Sequence, residues 1–264
     1  MKVVCIFALA KRKQIYIIYH KYNENYRKYD IYQRWKCRNR PSHCKKVNGA
    51  GNKIIINGRS EERLQNALKE LDNAIAIQGD LSVKADRLKI AEELKNNHPD
   101  LNIIINNAGA AFMNDLSNSN HNSAEKAYQE INTNYISVID FTALTLPQLL
   151  QQEEAAIVNV SSIAVFRSNK YLPTYSASKA ALHSYTQGLR DTFAENENLG
   201  VYELYPPLVN TEFSAEIGGA NGIPASEVAD ELFIGLEKNQ FEIPVGDTKK
   251  IHELVIPLTE QVPH

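Results

Sequence analysis

The sequence predicts an α/β protein: one doubly wound parallel sheet with helices on both faces. Three observations carry that prediction. Short apolar runs alternate with longer stretches of helical periodicity. The runs are continuous rather than alternating, as in Ile103-Ile104-Ile105 and Ala155-Ala156-Ile157-Val158, which is how strands covered on both faces read. Polar residues stand at the carboxyl ends of those runs, Asn106-Asn107 after one and Ser161-Ser162 after another, where open α/β sheets place ligands.

At 264 residues a single domain with a sizeable core is expected. The net charge of -2 conceals a break in composition. Residues 1–50 carry 13 Lys and Arg against only Glu24 and Asp30, and hold Cys5, Cys37, Cys44, Trp35 and six of the 13 tyrosines. We therefore divide the chain into an atypical basic segment, 1–50, and an α/β domain, 51–264. Three scattered cysteines give neither a disulfide framework nor a metal spacing, so no metal is expected, and the cysteine-free remainder suits a cytoplasmic location. Val3–Ala10 is too short to span a bilayer, and Lys11-Arg12-Lys13 follows it rather than precedes it; no membrane association is expected. Basic residues with interleaved tyrosines are compatible with nucleic-acid binding. The favoured reading is a disordered or misread segment, with no nucleic-acid partner.

From residue 52 the elements follow in order. Asn52–Asn57 is a strand, and Ser60 N-caps a helix over Glu61–Leu71 whose first turn holds Glu61 and Glu62, on the favourable side of the helix dipole. Ala74–Gln78 is the next strand. Asp80 or Ser82 caps the helix Lys84–Asn97, with Leu88, Ile90, Ala91 and Leu94 as its apolar side. Leu101–Asn106 is a strand ending in Asn106-Asn107-Ala108-Gly109. A loop rich in Asn and Ser leads to helical periodicity over Ala124–Leu150, around Asn134. The run Ala155–Ser162 is a buried strand. A helix containing Tyr175 and Lys179 continues through Ala180–Ala194. Val201–Tyr205 is a strand, Glu212–Ile223 a mobile glycine-bearing segment, Ala225–Lys238 a helix with Ser226 as cap, and Phe241–Val245 the last strand. The tail from Ile251 shows no motif.

Tyr175 and Lys179 stand at i and i+4, on one helix face. A neighbouring ammonium favours phenolate over phenol, which brings a group with a reference pKa of ~10 toward working pH and suits it to acid–base chemistry. His183 and His43 invite a hydrolase reading, but no G-x-S-x-G turn accompanies them. A strand ending N-N-A-G, a strand ending S-S with Ser162 thirteen positions before Tyr175, and Y-x-x-x-K follow in order. In this the chain resembles the short-chain dehydrogenase/reductase family from about Asn52 onward. Within it, the chain is similar to bacterial oxidoreductases found with lipoteichoic-acid D-alanylation genes, a likeness that fixes no substrate.

The resemblance implies a Rossmann-like fold and hydride transfer between NADP(H), or NAD(H), and a small carbonyl or alcohol substrate. It implies Tyr175 as proton donor and acceptor, Lys179 lowering the phenol pKa and holding the nicotinamide ribose, Ser162 orienting the carbonyl, and Asn134 fixing a relay water. For the cofactor it implies Asp80 and Leu81 at the adenine, Asn107, Ala108 and Gly109 along the strand end, and Thr211 at the nicotinamide amide or a phosphate. Thr211 closes Pro206-Pro207-Leu208-Val209-Asn210-Thr211, where the family has P-G-x-V-x-T and this chain has Pro207 for the glycine. Arg59, with no acid before Glu61, favours NADP through its 2′-phosphate. Glu212–Ile223 fits a substrate lid with Phe213, Ile217 and Ile223 at an apolar entrance. A homodimer or homotetramer through the helices bearing Asn134 and Tyr175 is also implied.

One family feature is missing. The glycine-rich turn that approaches the pyrophosphate is expected near the start, yet residues 1–50 hold only Gly49. The alternative reading is therefore an inactive, cofactor-free remnant or scaffold. Back-translating Tyr32–Val47 and reading one nucleotide later permits I/T-S-G-G-N-A-G-I-G-L-A-I-A-K-K-L, a glycine turn leading into a helix. We read a frameshift as the reason for the absence. Sequencing the gene across codons 28–52 is expected to give codons that spell this string in the shifted frame; codons incompatible with it contradict the reading.

Overall fold

The computed structural model describes residues 53–259 apart from 70, 72, 73 and 118–121. The basic segment 1–50, the missing glycine turn and the boundary drawn at residue 51 lie outside the described residues. The strands begin where apolar runs can be buried on both sides. β1 (Ile54–Gly58) pairs in parallel with β2 (Ala74–Gln78), joined by helix α1 (Glu61–Leu68). After α2 (Lys84–Asn97), a second parallel ladder runs β3–β4–β5–β8, from Ile103–Asn106, Ala155–Val160, Leu199–Tyr205 and Glu242–Pro244. The connecting helices are α3 (Ser123–Ile131) and α4 (Ser137–Leu149), then α5 (Pro173–Thr192) and α6 (Ala225–Glu237), with α7 (Thr248–Thr259) last.

Strand side chains alternate between two layers, as the pleat requires. Ile104 and Ile157 join Ile90, Leu94, Phe141 and Leu149 on one face, with Leu189 of α5 and Phe193 just past its end. Ile103, Ile105, Val158 and Leu204 join Leu232 and Phe233 of α6 on the other. Ile55 belongs to the first cluster, so both ladders share one core, while Ile54 and Ile56 pack against Leu64 and Ala67 of α1. This is the doubly wound α/β arrangement that the continuous apolar runs predict.

Several local expectations differ from what forms. Ser60 does cap α1, accepting from Arg63 N–H at 3.4 Å. Neither Asp80 nor Ser82 caps α2: Val83 holds the position with no side-chain bond. Asp80 Oδ1 is taken by the Ser82 N–H and hydroxyl, and the Asp80 N–H donates to Asp86. Leu88 is exposed, and Arg87 takes the buried place beside Ile90, Ala91 and Leu94. Its guanidinium donates to Asp140 of α4 and to Leu81 O, both at 2.6 Å, which lets a cation lie between two helices. Extended Pro224, not Ser226, precedes α6, because Ser226 already lies within the helix. The tail without a motif supplies α7.

Two irregular stretches shape the ligand side of the sheet. Between α3 and α4 a single π-helical turn, Asn132–Ile136, carries Asn134; such turns gather at functional positions. The segment 212–223 folds as two 3₁₀ turns closed by a short parallel pair of strands, β6 (Val209–Asn210) and β7 (Ile223–Pro224). Gly218 adopts φ 87°, and a Cβ on Gly219 would fall on the Ser214 hydroxyl and carbonyl, so the sequence Gly218-Gly219 is what permits this fold.

Candidate active site

The carboxyl ends of β3 and β4 are tied together before any ligand-facing group is placed. Asn106 Nδ2 donates to Asn159 Oδ1 at 2.8 Å, and Asn159 Nδ2 donates to Thr186 Oγ1 at 2.9 Å, all three buried. This ladder fixes α5 against the strands. One residue further along β4, Lys179 Nζ donates to Val160 O at 2.7 Å. The helix face bearing Tyr175 is thereby held over Ser162.

A cavity of about 730 Å³ opens there, within the size range of small-molecule sites. Ser162, Tyr175 and Lys179 line it together with Asn107, Gly109 and Thr211. Its apolar walls include Leu172, Phe213 and Ile217. Phe213 and Ile217 thus stand where an apolar entrance was expected, whereas Ile223 packs against the core beneath α6. Arg59, Asp80, Leu81, Ala108 and Asn134 do not line the cavity. Arg59 and Asp80 face each other at the ends of β1 and β2, with Nη1 3.6 Å from Oδ2, and the Arg59 side chain is 68% exposed. Leu81 and Ala108 are buried and can offer only backbone groups.

Asn134 is fully buried beside the cavity. Its Oδ1 accepts the Ala110 N–H at 2.7 Å, while Nδ2 donates to Ala110 O at 2.9 Å and to Ser178 Oγ at 2.8 Å. It clamps the turn after Gly109 to α5, and one lone pair of Oδ1 is all its amide has left for a water. A Cβ on Gly109 would come 3.4 Å from that oxygen, in contact with it but without a severe clash.

The electrostatics correct one expectation. Tyr175 is not depressed toward neutral pH: burial pushes its phenol up to about 12, the Ser162 hydrogen bond pulls it down, and the Glu130 carboxylate pushes it up again. Phenolate is disfavoured away from water, and the ammonium meant to offset this lies 6.0 Å from the ring centroid with a hydrogen bond to Val160 O. Lys179 itself is lowered to about 8 by burial, with Glu203 opposing the fall. Glu130, which donors at Phe112 and burial hold in place, and Glu203 were both overlooked in the sequence. Glu130 left no signal there. Glu203 did: it is a lone acid inside Val201–Tyr205.

A family model described as short chain dehydrogenase matches residues 42–221. The chain belongs to the short-chain dehydrogenase/reductase family. It is accordingly an NAD(P)-dependent oxidoreductase by class. An uncharacterized oxidoreductase, DltE of Bacillus subtilis, is 32% identical over 205 residues, covering 76% of this chain and 81% of that protein. An uncharacterized oxidoreductase of Staphylococcus epidermidis is 27% identical over 196 residues, 73% of this chain and 84% of that one. A short-chain dehydrogenase from Burkholderia cenocepacia, solved with NADP, is 22% identical and superposes with a TM-score of 0.68, covering 83% and 91% of the two chains. One from Burkholderia phymatum, solved with NAD, is 21% identical, with a TM-score of 0.68 over 82% and 85%. At these identities the two structures establish the fold.

The residues at hand fit a nicotinamide cofactor: an open strand end at Gly109, polar Thr211 and Lys179 on the cavity wall, and an exposed guanidinium at the end of β1. In the protein without added ligand, the tyrosinate absorbance lost on Tyr175→Phe is expected to develop only as the pH approaches 12. A component of that difference titrating near pH 7 would contradict the burial argument.

Proposed function

We propose that the protein transfers a hydride between NADP(H) and a carbonyl or alcohol substrate, with Tyr175 moving the proton. The observation that carries this reading is the meeting of Tyr175, Ser162 and Lys179 on one apolar-walled cavity at the carboxyl end of a parallel sheet. A phenol pushed up to about 12 keeps its proton at neutral pH, which supports its use as an acid. Its Oη gives that proton to the carbonyl oxygen, and takes it back from the alcohol in the reverse direction. Ser162 Oγ, bonded to Tyr175 and accepting from the Ala164 N–H at 3.2 Å, orients the same oxygen and stabilises the charge that develops on it. Lys179 keeps its positive charge below about pH 8, which favours loss of the phenolic proton during the reaction. Asn134 holds the Gly109–Ala110 turn and leaves one acceptor site for a relay water. The bound nicotinamide would supply or receive the hydride.

In this reading Tyr175, Lys179 and Thr211 hold the nicotinamide end, Asn107, Ala108 and Gly109 the middle, and Asp80, Leu81 and Arg59 the adenosine. The substrate is a small molecule with an apolar body, in keeping with Leu172, Phe213 and Ile217. A homo-oligomer built through α3, α4 and α5 belongs to the same reading, supported by exposed Tyr128 and Ile136 on that surface. A cytoplasmic location is also part of it; among the described residues no helix is long and apolar enough to cross a membrane.

One observation favours a second reading, a cofactor-free scaffold: residues 1–50 contain no glycine-rich turn. Titration with NADPH, followed by protein fluorescence, is expected to saturate below millimolar concentration, and Tyr175→Phe to lose ~10²–10⁴-fold in kcat/KM with an unchanged melting temperature. Absence of NADPH binding up to millimolar favours the scaffold, and full activity in Tyr175→Phe contradicts the proton transfer. For cofactor choice, Arg59→Gln is expected to raise KM for NADPH about tenfold and leave that for NADH unchanged, the effect of one lost charge-assisted hydrogen bond. Equal effects on both cofactors would contradict a 2′-phosphate contact.

A further inference from the structure

The proposed reaction uses the inner end of the cavity and leaves one stretch of its wall unexplained. That stretch is the loop 166–172, between the exit of β4 and the start of α5. Its backbone is committed to bonds of its own. Asn169 N–H donates to Ser176 Oγ at 3.1 Å, Tyr171 N–H to Asn169 Oδ1 at 2.8 Å, and Leu172 N–H to Asn169 O at 3.0 Å. Tyr171 O accepts the Asn114 N–H at 2.9 Å, which ties the loop to the segment after β3. Side chains carried on such a loop are presented from a fixed frame, and a ligand need not order it.

Two cations stand on that frame, Arg167 and Lys170. Both line the cavity and both are exposed, which places them where it meets solvent. Arg59, Arg87 and Arg190 each have a carboxylate oxygen within 3.6 Å. Among the described residues Arg167 has no such partner, and Lys170 has only the Tyr171 ring, 4.7 Å from Nζ to the centroid.

The charge on the wall is one-sided. Arg167, Lys170 and Lys179 line the cavity against a single acid, Glu212. Between these charges the walls are apolar, at Leu172, Phe213 and Ile217. A cleft with low-dielectric walls and one sign of charge gathers and orients ions of the other sign. Cofactor phosphates do not account for the two cations in the reading above. That reading puts the adenosine with Arg59 and Asp80 at the ends of β1 and β2, whereas Arg167 and Lys170 immediately precede the helix bearing Tyr175.

We propose that the substrate is an oxo acid: an apolar chain whose reacting carbonyl meets Tyr175 and Ser162, and whose terminal carboxylate is held at the cavity mouth by Arg167 and Lys170. The carbonyl half rests on the oxidoreductase reading; the carboxylate half does not. A guanidinium presents a planar fork of N–H donors that matches a carboxylate, and the ammonium adds a second charge beside it. The reaction balances as before. The carbonyl is reduced by two electrons as NADPH is oxidised, its oxygen takes the Tyr175 proton, and the carboxylate is unchanged. The product is the hydroxy acid.

The test compares 4-oxopentanoate, 6-oxoheptanoate and 8-oxononanoate with their methyl esters, as substrates with NADPH. The best of the acids is expected to exceed its ester ~10-fold in kcat/KM, mainly through KM, because two exposed cations contribute a few-fold each. Added salt is expected to shrink this advantage by screening them. Arg167→Gln with Lys170→Gln is expected to bring the acid-to-ester ratio within about twofold of one; both side chains are exposed, so the double variant keeps its fold. Esters that match or surpass every acid, or an acid preference that survives in the double variant, overturn the proposal. Titration with NADPH separates its failure from that of the underlying reading. A protein that binds NADPH but reduces none of the acids contradicts the oxo acid and leaves the oxidoreductase reading standing. A protein that binds no NADPH contradicts that reading, and calorimetric titration with octanoate then decides the carboxylate site. Binding that weakens about tenfold in the double variant upholds the site; no binding, or equal binding in both proteins, overturns it.

Discussion

The hydrogen bond from the Lys179 ammonium to Val160 O is the joint on which the site depends. It fastens α5 to the last residue of β4, and so sets the phenol of Tyr175 on one element opposite the hydroxyl of Ser162 on another. The arrangement is costly, because an ammonium removed from water loses several kcal/mol of hydration. The surrounding structure offsets this with a carbonyl at 2.7 Å and the Glu203 carboxylate nearby. A neutral side chain in that place would remove the buried ammonium from the cavity wall beside Tyr175.

The rest of the fold serves to keep this joint in register. The Asn106–Asn159–Thr186 ladder crosses from β3 to α5 through the sheet, so the strand ends cannot slide without breaking buried hydrogen bonds. The π-helical turn at Asn134 rotates the start of α4 and turns a carboxamide inward, where it grips Ala110 and Ser178. The same α5 therefore meets β4 through Lys179, β5 through His183 and the β3 exit through Ser178. Chemistry is confined to the side of the sheet where these bonds end.

Much of this could be read in the sequence, for identifiable reasons. The parallel strands announce themselves because burial on both faces demands continuous apolar runs, and Ser162, Tyr175 and Lys179 because motif order restricts where they can lie. Spacing, however, fixes a helix face and not a distance. It places Lys179 beside Tyr175 but cannot show that the phenol is buried, and burial is what turns the direction of its pKa shift upward. Amphipathic counting chose Leu88 for the core of α2, when an ion pair with Asp140 buries Arg87 instead. Asp80 looked like a cap because local sequence does not reveal that Ser82 takes its carboxylate first. Helix α7 lies in a stretch with no motif to mark it. Glu203 was visible as an acid within an apolar strand, and its meaning came only from three partners, Ser161, His183 and Tyr205, that lie far from it in sequence or on the same strand.

The claim that matters most is that Tyr175 and Lys179 act as one unit across this joint. A double-mutant cycle in kcat/KM with Tyr175→Phe and Lys179→Met, using NADPH and any ketone the protein reduces, measures that most directly. We expect strong non-additivity, with each single substitution costing nearly as much as the pair. Losses that multiply independently would mean that the two side chains do not share a task, and would contradict the account.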